Sequence, residues 1–139
     1  MLKVTKIFRF ETAHAIHGYE GLCKNIHGHS YILHVTVGMP SRNNDYLPGT
    51  GFIIDFKDLK KIINDVVVKP FDHALILSEE YLRAHPNMSK MENLHVWDME
   101  PSVENMLIYI RTKIIDKLPE NITLCNLKLY ETSDSYAEV

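Results

Sequence analysis

The chain has 139 residues, which makes one domain over 1–139 the expectation and leaves too little for two ordinary ones. Apolar residues make up 45% and charged residues 24%, a globular balance that excludes a disordered chain or a fibrous repeat. With 15 Lys and Arg against 18 Asp and Glu, the net charge of −3 excludes a nucleic-acid binder that depends on a basic surface.

From Leu2 to His14, Val4, Phe8, Phe10, Thr12 and His14 alternate with Lys3, Thr5, Arg9 and Glu11, the period of a half-buried strand. Residues 15–26, with Gly18 and Gly21, read as a loop. A second strand is predicted from His27 to Val37, with His29, Tyr31, Leu33, Val35 and Val37 on one face and Ser30, His34 and Thr36 on the other. His27 and His29 therefore point the same way. Residues 38–51 hold Pro40, Pro48 and turn formers and read as a connection, followed by a short extended piece over 51–55. Phe56, Leu59, Ile63 and Val66 then fall on one helical stripe, with Asp55 as N-cap and Pro70 expected to close the helix. Residues 78–100 show weak periodicity and read as an irregular excursion. Pro101 and Ser102 open a second helix, whose apolar positions Val103, Met106, Leu107, Ile110, Ile114 and Leu118 recur at spacings of three and four until Pro119. The last predicted strand, Ile122 to Thr132, places Cys125, Leu127, Leu129 and Glu131 on one face. This order predicts an α+β layer of antiparallel strands supporting two helices.

Eight histidines are the unusual count, an excess of the residue that titrates near neutrality and binds transition metals when neutral. His27 and His29 stand at i and i+2 on one strand face, and His14 ends the apolar face of the strand before. If those strands pair, three imidazoles converge, which suits a zinc ion with an open fourth position for chemistry. Cys23, four residues before His27, reads equally as a fourth ligand, a general base or an inert thiol, whereas Cys125 reads as core. A thiolate ligand would close the site and make it structural. Asp72-His73 pairs a carboxylate with an imidazole in adjacent positions, able to move a proton. Glu131 ends a core-facing stripe, and burial of an unpaired carboxylate is costly, so it calls for a cation or a ligand offering N–H groups. Two isolated cysteines do not make a disulfide scaffold, no apolar run reaches the ~20 residues of a membrane span, and no basic-apolar export signal opens the chain. A cytoplasmic protein with no membrane partner is the expectation.

Six segments carry a resemblance: Phe10-Glu11-Thr12-Ala13-His14, Cys23-Lys24-Asn25-Ile26-His27-Gly28-His29, Asp55-Phe56 with Leu59-Lys60, Asp72-His73, Pro101-Ser102-Val103-Glu104-Asn105 and Tyr130-Glu131-Thr132. In this order along nearly the whole chain they resemble the 6-pyruvoyltetrahydropterin and 6-carboxytetrahydropterin synthase family. The resemblance implies a T-fold: a four-stranded antiparallel sheet with two helices on one face, assembling into an oligomeric β-barrel, with two trimers stacked as a homohexamer. It implies zinc on His14, His27 and His29, Cys23 as proton acceptor, and Asp72 with His73 as a proton relay. Glu131 would anchor the pterin ring, with Ser102 and Glu104 lining the same pocket and the site lying between subunits. The substrate implied is 7,8-dihydroneopterin triphosphate. In the carboxy branch, on the route to 7-deazapurines such as queuosine, the side chain is cleaved to release acetaldehyde and triphosphate. In the pyruvoyl branch triphosphate is eliminated and the carbon chain kept. The spacing Cys-x3-His-Gly-His resembles the carboxy enzymes. Two departures stand out: Val103 where many relatives carry a hydroxyl, and the length of the Tyr81–Met99 excursion. A non-catalytic zinc protein or pterin-binding module is the rival reading from another class.

Overall fold

A computed structural model describes residues 1–40 and 46–139. The two long strands form where alternation places them: β1 (Leu2–His14) and β2 (His27–Met39) pair antiparallel along their whole length, from Leu2 opposite Met39 to His14 opposite His27. Because side chains alternate across a strand, this register sets Phe8, Phe10, Thr12 and His14 beside Leu33, Tyr31, His29 and His27 on a single face. The predicted connection over 38–51 begins two residues later than expected, and its positions 41–45 lie outside the described residues.

The expected four-stranded antiparallel sheet is corrected to a mixed sheet of six strands in the order β4-β3-β1-β2-β5-β6. β3 (Ala74–Ser78) runs parallel to β1 and to β4 (Leu94–Trp97). All five residues of β3 are buried, so the strand has no alternation for a sequence reading to detect. β5 (Thr123–Thr132) pairs with the far edge of β2, and β6 (Ser135–Glu138) returns against it as a short hairpin. Residues 51–55 form no strand. Gly51 takes a left-handed turn at φ 75°, Ile53 is buried, and Asp55 accepts the Lys57 N–H at 2.8 Å to cap α1 (Phe56–Ile63).

Pro70 does not close this helix as expected. After α1 the chain widens into a π-helical turn over Asn64–Val68 and ends in α2 (Lys69–Phe71), where Pro70 occupies the final turn. Its missing N–H falls at the junction between two hydrogen-bond patterns and not in a continuous ladder. Residues 78–100 are not irregular: they hold α3 (Glu79–Ala84), a 3-10 turn over Pro86–Lys90, and β4. Tyr81 of α3 joins Ala15, Leu75 and Leu77 in a second apolar cluster. These residues alternate with His14 and Ile76, so the excursion seals the opposite face of the sheet.

α4 (Val103–Ile115) starts on Ser102, whose Oγ accepts the Asn105 N–H at 3.2 Å, and buries Met106, Leu107, Ile110 and Ile114. The α1–α2 unit and α4 cover one face of the sheet in a core with Phe8, Phe10, Tyr31, Leu33, Leu127 and Leu129. Cys125 departs from the core position expected of it. A bulge lets Leu124, not Cys125, pair with Val37, and Cys125 is half-exposed with its Sγ 3.3 Å from Met1 Sδ. Among the described residues no helix is long and apolar enough to cross a membrane.

Candidate metal and proton-transfer site

The β1–β2 register ends by bringing His14, His27 and His29 together, with one ring nitrogen from each within 4.8 Å of the others. Two of the three tautomers follow from hydrogen bonding. His14 Nδ1 lies 2.6 Å from the Pro101 carbonyl and His27 Nδ1 lies 2.7 Å from the Asn25 carbonyl. A carbonyl only accepts, so each Nδ1 carries a proton, and in the neutral ring each Nε2 keeps its lone pair. Those two Nε2 atoms face one another at 3.1 Å. Two lone pairs at that distance repel, and a cation between them removes the conflict; tetrahedral ligands at the zinc–nitrogen distance of ~2.0–2.1 Å stand roughly 3.3 Å apart. His29 Nε2 is buried without a hydrogen-bond partner, a deficit that costs about 1–3 kcal/mol until something coordinates it.

The electrostatics match this donor set. His14 is 2% exposed, and burial pulls its pKa from 6.5 to about 4 against the opposing pull of the Pro101 hydrogen bond, with His27 and His29 adding repulsion. Burial likewise lowers His29, partly offset by Glu131. Both rings are therefore neutral at pH 7 and bind a cation without first losing a proton. The three side chains fit a metal ion, and no carboxylate or thiol is needed to complete the triad.

Glu131 extends from β5 over this cluster, its Oε1 3.5 Å from His14 Nε2 and 3.6 Å from His29 Nε2, with its side chain 26% exposed. A cation held by the three histidines would supply the partner that a half-buried carboxylate requires, and one face remains open to a ligand. Ser102 and Glu104 lie at the start of α4, brought toward the cluster by the Pro101 carbonyl that holds His14. Ser102 Oγ already accepts a backbone N–H and keeps its O–H to donate. Tyr31 lies beneath: its ring stacks on Phe10 at 5.4 Å and meets the His29 ring edge-on at 5.6 Å, and its buried hydroxyl has no partner. Alternation placed Tyr31 on the histidine face, but its hydroxyl's isolation is visible only in three dimensions. The same holds for the Pro101 and Asn25 carbonyls, because backbone acceptors leave no mark in a sequence.

Cys23 is exposed on a 3-10 turn over Leu22–Lys24 and is outside the three-histidine cluster. Its backbone carbonyl, not its thiol, holds the loop by accepting the Ile16 N–H at 2.8 Å. Asp72 and His73 sit at the β1–β3 edge and make no hydrogen bond to the cluster within the chain. The backbone of Glu11 clamps both: its N–H donates to Asp72 Oδ1 at 2.9 Å and its carbonyl accepts the His73 N–H at 2.6 Å. The Glu11 N–H, more than the His73 ring, holds the Asp72 carboxyl below the usual carboxylate range. His73 is the one non-glycine among the described residues with positive φ, 61°, a strained conformation of the kind that accompanies function. Its Nδ1 lies 3.1 Å from Asp72 Oδ2, leaving Nε2 to face outward on a side chain that is 76% exposed. His73 and His29 line a common open hollow of about 330 Å³ with Gly28 and Ala74.

Comparison with known proteins agrees with this arrangement. The sequence model described as 6-pyruvoyl tetrahydropterin synthase matches residues 3–139. A Rickettsia felis protein named 6-carboxy-5,6,7,8-tetrahydropterin synthase is 30% identical over 143 residues, covering 100% of both chains. A Haemophilus influenzae protein of the same name is 30% identical over 142 residues, covering 99% of this chain and 98% of its own. The structure of Caenorhabditis elegans 6-pyruvoyl tetrahydropterin synthase superposes with a TM-score of 0.71 at 20% identity, covering 99% of this chain and 94% of that one, which shows a shared fold. The converging histidines, the glutamate above them and these full-length matches together establish that the chain belongs to the 6-pyruvoyl tetrahydropterin synthase family.

Proposed function

We propose that the chain is a zinc-dependent 6-carboxy-5,6,7,8-tetrahydropterin synthase, which converts 7,8-dihydroneopterin triphosphate with release of acetaldehyde and triphosphate. The observation that carries this reading is the three-histidine cluster with Glu131 3.5–3.6 Å above two of its nitrogens. The names of the full-length relatives favour the carboxy branch over the pyruvoyl one.

When bound, zinc supplies Lewis acidity toward the hydroxyls of the substrate side chain. His14, His27 and His29 hold it as neutral ligands, preset by the Pro101 and Asn25 carbonyls. Glu131 accepts the N–H groups of the pterin's guanidine-like edge, an acceptor-only carboxylate facing a planar pair of donors. Ser102 and Glu104 complete that wall from the start of α4. Cys23, free of the cluster, exchanges protons with the side-chain carbons. In the Asp72-His73 pair the carboxylate fixes the imidazole tautomer, so that Nε2 gives or takes the proton.

Because this pair makes no hydrogen bond to its own cluster, we assign it to the site of a neighbouring subunit. Support comes from the sheet edges. β3 covers β1 only along Thr12–His14, so the β1 edge over 2–10 has no strand partner among the described residues, nor has the outer edge of β6. An apolar hollow of about 220 Å³ with exposed Phe52 and Phe56 flanks that open β1 edge. One edge of each copy pairing with the other edge of the next closes a ring without free strands, consistent with a barrel of trimers and a homohexamer.

Incubating the zinc-loaded protein with 7,8-dihydroneopterin triphosphate and measuring acetaldehyde and 6-carboxytetrahydropterin tests the reading. A pyruvoyl product without acetaldehyde would reassign the branch. Binding with no turnover would leave a pterin-binding protein.

A further inference from the structure

The loop joining β1 to β2 and the helix α3 enclose a cavity of about 370 Å³ outside the pterin and metal site. Its basic side chains are His17, Lys24 and His85, its neutral hydrogen-bonding groups are Tyr19, Asn25 and Tyr81, and no carboxylate lines it. In a chain of net charge −3 such a lining is a local inversion. Among the described residues none of the three bases forms an ion pair, whereas Arg83, on the same helix, lies 3.7 Å from Glu79 and 3.1 Å from Glu80. His85 is held in place: its ring stacks on Tyr81 with centroids 4.2 Å apart, and its Nδ1 lies 3.1 Å from the Tyr81 carbonyl, leaving Nε2 without a partner.

The cavity shares a wall with the candidate site. Lys24 follows Cys23 directly, and Asn25, which lines the cavity, offers its carbonyl to His27 Nδ1 at 2.7 Å. Charge is divided across that wall. Glu104 and Glu131 belong to the α4 and β5 side, where they repel phosphate, Glu100 is engaged by the His17 N–H at 2.6 Å, and the unpaired bases stand on the β1–β2 loop and at the end of α3. From this partition, and resting on the proposed function, we infer that the cavity is a binding site for a triphosphate chain and takes the tail of the substrate whose pterin ring is held at Glu131. The segment 79–90, expected from sequence to be irregular, thereby acquires a specific role, supplying Tyr81 and His85 to a polyanion site.

The inference is tested by titration calorimetry of the zinc-loaded protein with inorganic tripolyphosphate, beside steady-state kinetics on 7,8-dihydroneopterin triphosphate. The variants are Lys24→Ala, Lys24→Arg and His85→Gln, with Lys60→Ala on the exposed side of α1 as control. Lys24 and His85 are exposed, and circular dichroism checks each fold. Lys24→Ala and His85→Gln are expected to weaken tripolyphosphate binding, and raise KM, by roughly 10- to 100-fold, the effect of losing a hydrogen bond to a charged group, with kcat changed less than about twofold. Lys24→Arg should retain most of the binding, and Lys60→Ala all of it. Folded variants with wild-type tripolyphosphate affinity and KM would overturn the inference, as would a wild-type protein that binds no tripolyphosphate. If the variants lose tripolyphosphate binding but the wild type turns over no substrate, the anion site stands and the proposed function falls.

Discussion

Replacing Cys23 by alanine separates a catalytic thiol from a metal ligand. The side chain is exposed, lies outside the three-histidine cluster, and makes no hydrogen bond among the described residues. The contact that fixes its loop, the Ile16 N–H on the Cys23 carbonyl at 2.8 Å, belongs to the backbone and survives the substitution. An exposed change of this kind moves stability by no more than about 0.5 kcal/mol, or roughly 3 °C in Tm for a domain of this size. No nitrogen donor is removed, so zinc per chain after dialysis should match the wild type. Turnover should fall by about 10²–10⁴, the contribution of a positioned proton-transfer group. Elemental analysis, thermal melting and acetaldehyde release read the three quantities on one sample. Zinc loss accompanied by a drop in Tm would make Cys23 a ligand of a closed structural site, and undiminished turnover would remove it from the chemistry.

Three further outcomes follow from the geometry. His14 titrates near 4 when folded and 6.5 when free, so the unfolded chain binds more protons between those values. The metal-free protein should therefore be fully stabilised by this group above pH 6.5 and lose up to about 3 kcal/mol as the pH falls to 4, measured by urea melts across the range; a flat profile would show that the ring is open to water. Glu131→Gln should keep zinc but raise KM for the pterin by roughly 10- to 100-fold, since one charge-assisted acceptor is lost; zinc loss instead would make Glu131 part of the metal sphere. At Gly38 an added Cβ would lie 2.8 Å from the Leu2 carbonyl oxygen and 2.9 Å from Cys125 Sγ. Gly38→Ala should then cost about 1–3 kcal/mol in chemical denaturation, with Cys125→Ala in the same chain recovering part of it; no loss would refute the packing of the bulge.

The residues that define the site were legible because their chemistry is local. His27 and His29 share a strand face by the period of two, His14 ends the neighbouring face, and Glu131 is a carboxylate on an apolar stripe. Asp55 was readable as a cap and Pro101-Ser102 as a helix start, since a capping side chain acts within three residues of itself. By contrast, β3 left no pattern because a strand buried on both faces has no polar positions, and β6 is too short to show one. The bulge that turns Cys125 out of the core is likewise invisible, because it depends on which residue of β2 it meets.

The sequence by itself determined the donor types, their faces and the order of the longest elements, β1, β2, α1, α4 and β5, all consequences of alternation and helical period along a single segment. Tertiary structure alone decided the protonation of the ligands, because the Pro101 and Asn25 carbonyls that fix it reach His14 and His27 from elsewhere on the chain and from the loop. It also decided that the Glu11 backbone clamps Asp72 and His73 at the β1–β3 edge, since that follows from β3 entering the sheet parallel to β1. Long-range pairing sets these relations, and no spacing of residues along the chain encodes where two distant backbones meet.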